Sequence, residues 1–108
     1  MQNLEADHQL QQAIQILKNN FDIKRIFLFG SRAQGTAHSD SDYDLVLITK
    51  DSLHDPFENR VKARVVLKDL SSSFDVFVYT NTEFEKVKND FGSIAETAVN
   101  TGREIELS

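Results

Sequence analysis

Residues 29–45 read FGSRAQGTAHSDSDYDL. One short apolar run, Ile26-Phe27-Leu28-Phe29, stops at Gly30, and another, Leu45-Val46-Leu47-Ile48, starts after Asp44. Runs of that length bounded by turn residues are expected of buried strands. Between them stand a Gly-Ser pair and the alternating aspartates Asp40, Asp42 and Asp44. Like charges so close repel one another, so the segment is built to hold something that compensates them. Locally it predicts strand, short helix, loop and strand. Ser31 is expected as helix N-cap, Arg32-Ala33-Gln34 as helix formers and Gly35 as the stop.

The flanking sequence extends this pattern. Leu10, Ala13, Ile14 and Leu17 recur at i, i+3, i+4 and i+7, which predicts an amphipathic helix over about residues 4–19. Pro56 suits a first helical turn, and good helix formers run on to Leu70 before Ser71-Ser72-Ser73 breaks them. Phe74–Tyr79 is β-branched and aromatic, a third strand. Short helices are expected at 83–88 and 93–99, on either side of Gly92, and Gly102 turns the chain into a last strand over 104–107. The order α-β-α-β-α-β-α-α-β describes a small α/β (α+β) domain with helices packed on a sheet.

With 108 residues, the chain is expected to form one domain, 1–108. A net charge of −5 argues against a broad nucleic-acid surface, because phosphate neutralisation dominates such binding. The chain lacks cysteine, which excludes disulfides and zinc–thiolate centres and fits a reducing compartment. MQNLEADHQLQQ is polar and acidic, unlike a signal peptide, and no apolar run approaches the roughly 20 residues of a membrane span. A cytoplasmic protein without membrane contact is expected.

Two familiar loops fail against the opening stretch. Gly30 and Gly35 have the spacing of a P-loop, but Thr36 stands where its lysine belongs. Asp40, Asp42 and Asp44 open like a calcium loop, yet Leu45 replaces the obligatory glycine. A third reading uses both halves. Gly-Ser at a helix start offers backbone N–H groups and a hydroxyl to a phosphate. Asp42 and Asp44, two apart, project to one side and suit a hard cation on a triphosphate. Asp75 interrupts the apolar third strand, and a charge there is costly unless it is paired or binds metal. Should that strand lie beside the Asp42–Asp44 strand, Asp75 completes the acidic site.

GSRAQG, SDYDL and FDVFV together resemble the minimal nucleotidyltransferases of the polymerase-beta superfamily. The resemblance runs from the leading helix to the Gly102 turn. It implies a nucleotidyltransferase fold with a small mixed sheet. It also implies two Mg²⁺ ions held by Asp42, Asp44 and Asp75, and ATP or another NTP cradled by Gly30, Ser31 and Arg32. Asp75 would accept the proton of an attacking hydroxyl. Gln34 departs from the basic residue that many relatives carry there. The family further implies a partner, a small helical HEPN ribonuclease toxin whose tyrosine receives AMP, with the present chain as antitoxin in a hetero- or homo-oligomer. A non-catalytic module acting by occupancy, or a transferase for a small molecule or RNA end, remains open. Arg60, Arg64 and Lys68 fall at i, i+4 and i+8 and are read as a solvated face. His38 is left out of the site, and Tyr43 is expected in the core.

Overall fold

The structure, a computed structural model, describes residues 7–38, 41–51 and 55–107. Helix α1 (His8–Asn20) starts where the Asp7 carboxylate accepts the Leu10 N–H at 3.0 Å. It buries the expected stripe of Leu10, Ala13, Ile14 and Leu17. There follow β1 (Ile23–Phe29), α2 (Ser31–Gln34), β2 (Tyr43–Thr49), α3 (Pro56–Val66) and β3 (Phe74–Thr80). The chain ends through α4 (Asn81–Val87), α5 (Ile94–Thr101) and β4 (Arg103–Glu104). Asp55 caps α3, with Pro56 in the first turn as its fixed φ favours. Thr80 and Glu83 cap α4 reciprocally, at 3.2 and 2.9 Å.

The four strands form one mixed sheet in the order β3-β2-β1-β4. β1 pairs antiparallel with β2 and β4, while β2 and β3 run parallel across the α3 crossover. Strand alternation sorts the side chains into two layers. Ile26, Leu28, Tyr43, Leu45, Leu47 and Val78 pack under α1 and α3. Phe27, Phe29, Val46 and Ile48 pack under α4 and α5 with Phe84, Ala95 and Ala98. At Gly102 a Cβ would meet the carbonyl oxygens of Ala98 and Leu28 at 2.5 and 2.6 Å, so glycine lets the end of α5 press onto β1.

Some local expectations change. Gly30, not Ser31, caps α2, and Ser31 is its first helical residue. The chain enters this helix through φ 75°, ψ −158°, a conformation reserved for glycine. Helix α3 ends at Val66, and the turn over residues 67–70 includes a 3.1 Å bond from the Leu70 N–H to the Leu67 carbonyl. The last strand is Arg103–Glu104 rather than 104–107, because β1 pairs only at Phe27 and Leu28. Ile105 adds a single 2.9 Å bond to the Ile26 carbonyl. Residues 4–6 of the expected first helix, and Asp40, lie outside the described residues.

Candidate active site

The face under α4 and α5 carries the acids. Asp44 alternates with Tyr43 and Leu45, and Asp75 with Phe74 and Val76, so both point to the face of Val46 and Phe77. In register, Phe29 lies opposite Asp44, and Asp44 beside Asp75. A row Phe29–Asp44–Asp75 therefore crosses three strands. Asp42, just before β2, is exposed, as is Asp75, while Asp44 is half-buried. Burial holds the Asp44 carboxyl above the usual carboxylate range, and the charges of Asp75 and then Asp42 push it the same way. The distant Asp75 and the Asp42–Asp44 pair are thus brought within electrostatic reach of one another.

Gly30 closes the row from the end of β1. A Cβ at this position would run into the Asp44 carboxylate, so the lack of a side chain serves both backbone and packing. Gly35, in the left-handed conformation at φ 74°, ends the helix after one turn, as its sequence position predicts. The first N–H groups of any helix lack intrahelical partners, and α2 opens beside the acids.

Arg32 is placed elsewhere. It is buried, and its Nε and Nη2 donate to the Ser41 carbonyl at 3.3 and 2.9 Å. Its guanidinium lies 4.2 Å over the Tyr43 ring. That ring stacks on Phe74 at 4.7 Å, and its hydroxyl donates to Asp7 Oδ2 at 2.6 Å. Arg32 thereby fastens the end of the loop that delivers Asp42, and Tyr43 joins the core as expected. The His38 N–H donates to Ser41 Oγ at 2.8 Å, while the Gln34 side chain is exposed.

Sequence reasoning missed the surroundings of Asp75. A cavity of about 330 Å³ opens beside it between α3 and β3, lined by Phe57, Arg60, Val61, Arg64 and Val65. A second, of about 380 Å³, joins Asp75 to Asp42, Arg64 and Lys68. Arg60, Arg64 and Lys68 are exposed as expected, yet they face the acids instead of open solvent alone. The available signal was a second apolar repeat on the same helix, Phe57, Val61 and Val65, offset from the buried Ala63 and Leu67.

Mg²⁺ chemistry is compatible with this donor set. The three carboxylates are hard oxygen ligands whose mutual repulsion a cation relieves. Among the described residues no three side chains form a ready-made ligand cage. A magnesium ion that serves a nucleotide takes its remaining ligands from phosphate and water, so it needs fewer protein carboxylates than a closed cage does.

A family model for polymerase-beta nucleotidyltransferases matches residues 11–105. The chain belongs to that family. Its fold is shared with the solved toxin–antitoxin MntA–HpeT carrying a tyrosine-to-alanine mutation, at 23% identity and TM-score 0.63. That match covers 89% of this chain and 70% of the other. A toxin–antitoxin structure with AMP-PNP matches at 24% identity and TM-score 0.51, over 87% of this chain and 69% of that one. A Sulfolobus solfataricus protein, itself a candidate nucleotidyltransferase, matches at 22% and 0.51, over 82% and 84%. Curated protein sequences yield no match. At these identities the likeness is one of fold, and the mixed four-stranded sheet with its helices is the nucleotidyltransferase fold. No described helix is long and apolar enough to cross a membrane.

Proposed function

We propose that this nucleotidyltransferase-family chain moves a nucleoside monophosphate, AMP from ATP, onto a hydroxyl. The acceptor in this reading is a tyrosine of a small helical HEPN toxin, which the chain silences as its cytoplasmic antitoxin. The observation that carries the proposal is the row in which Asp44 stands beside Asp75 with Gly30 packed against its carboxylate. The toxin–antitoxin context of the similar structures, one of them with AMP-PNP, supports the choice of partner and nucleotide.

Asp42 and Asp44 would hold two Mg²⁺ ions, with Asp75 as a further ligand of one. The cations supply charge neutralisation for the triphosphate. Ser31 and the N–H groups at the start of α2 bind the outer phosphates, and Gly30 lets the backbone approach them. Asp75 accepts the acceptor's proton as its oxygen bonds to the α-phosphorus. The bond from that phosphorus to the bridging oxygen breaks, and pyrophosphate leaves. Positioning supplies most of the catalysis, since the phosphoryl group itself needs no covalent help from the protein.

The test uses ATP labelled at the α-phosphate, with Mg²⁺ and the purified HEPN protein. Label is expected on the partner, and none when its acceptor tyrosine is replaced by phenylalanine. A tight complex without transferred label would favour neutralisation by occupancy, or transfer to a small molecule or RNA end, over transfer to the partner.

A further inference from the structure

We propose that the groove between α3 and the outer edge of β3 docks the acceptor, and that it takes a polypeptide segment whose apolar side chains are flanked by carboxylates. This inference rests on the transfer reading, in which Asp75 meets the acceptor hydroxyl. β3 is the terminal strand of the sheet, paired on one side by β2. Asp75 lies on that strand and lines the groove. A segment seated there delivers its hydroxyl to the acid without crossing the sheet.

Helix α3 is apolar on two sides. Ala63 and Leu67 are buried against the core, while Phe57, Val61 and Val65 remain 70%, 45% and 52% exposed. Spaced four apart, these three make a ridge about 12 Å long at 1.5 Å per residue. Beside it run Arg60, Arg64 and Lys68. Among the described residues none of these three cations forms an ion pair, although they line cavities shared with Asp42 and Asp75, so their charges stay available to a carboxylate from outside. Arg60 reaches to 5.3 Å over the Phe77 ring, next to Asp75 on the acidic face.

Charge selects the occupant. A second copy seated in the same way would bring arginine against arginine, which disfavours self-association. Nucleic acid would satisfy the cations, but its bases are held by aromatic stacking, and two of the three ridge residues are valine. An acidic segment with an apolar face matches both ridges at once.

Fluorescence anisotropy on the full chain provides the test. Its probes are a short tyrosine-centred Leu/Glu peptide, the same peptide with Lys for Glu, and an oligoadenylate. The Glu peptide should bind about tenfold more tightly than the Lys peptide. Arg60→Glu with Arg64→Glu should invert that preference. Val61→Asn with Val65→Asn, at exposed positions that leave the core intact, should weaken Glu-peptide binding about tenfold without changing affinity for ATP and Mg²⁺. Equal affinity for the two peptides, tighter binding of the oligoadenylate, or loss of ATP affinity in the asparagine variant would each overturn the proposal. The transfer reading fails separately. Should the Glu peptide dock while no labelled AMP reaches its tyrosine or the HEPN protein, docking stands and transfer falls. Should label reach the HEPN protein equally fast with the asparagine variant, transfer stands and docking falls.

Discussion

The two faces of one sheet have opposite fates. Under α1 and α3, β2 contributes Tyr43, Leu45 and Leu47, all buried. On the other face the same strand contributes Val46 and Ile48 beneath α4 and α5, but leads into them with Asp44. In the proposed reading, neighbouring residues of β2 serve stability and chemistry, separated by nothing more than the alternation of a strand. Each face should accordingly fail in its own way when altered.

The largest expected difference comes from the acids. Asp44→Asn or Asp75→Asn should lower nucleotidyl transfer by about 10³-fold, or roughly 4 kcal/mol of transition-state stabilisation. Thermal unfolding of the metal-free protein should be unchanged or slightly raised, because a repulsive charge is lost. Near-normal transfer in either variant would show that the site is misassigned. On the opposite face, Leu47→Ala should cost about 3 kcal/mol in urea unfolding while leaving Mg²⁺-dependent nucleotide binding intact below the transition. A stability loss from the asparagine variants matching that of Leu47→Ala would erase the contrast between the faces.

In the same reading, Gly30 sits where the two roles meet. Gly30→Ala should cost about 2 kcal/mol in stability, from a backbone conformation closed to alanine, and should also displace the Asp44 carboxylate. ATP affinity should therefore fall along with the melting temperature; a loss of stability alone would detach Gly30 from the site.

Tyr43 sharpens the comparison through pH. Burial first, then its bond to Asp7, pushes the Tyr43 hydroxyl up to about 12. A group raised on folding stabilises most below its unfolded value, about 10, and loses that contribution as pH rises towards 12. The loss should be of the order of 2 kcal/mol across that window, and Tyr43→Phe should flatten the slope. An identical pH dependence in the variant would remove Tyr43 from the account. The smallest effect is expected at the half-exposed Arg25–Glu104 pair, where Glu104→Gln should change stability by less than about 1 kcal/mol.

Much of the fold is legible in the sequence because its signals are local. The periodic stripe of α1, the apolar strand runs, Pro56 and Gly35 each act within a few residues of themselves. The local errors also have physical causes. Ser31 has the right chemistry for a cap, but the backbone turn at Gly30 claims that place. The last strand ends early because β4 finds only two partners on β1. Around the candidate site, the spacing of Asp42 and Asp44 and the charge of Asp75 in an apolar strand single these acids out, and the strand register sets Asp44 beside Asp75.

The sequence by itself determined the order of elements, the acids and the glycine turn, because periodicity and side-chain chemistry need no distant partner. Only the tertiary structure decided that β2 and β3 run parallel and in a register that sets Asp44 beside Asp75, some thirty residues apart in the chain. It also decided that Arg32 turns inward to Ser41 and Tyr43, and that Arg60 and Arg64 face Asp75 across the sheet edge. Such placements depend on which strands pair and where a helix returns, and these are settled by burying both faces of the sheet together.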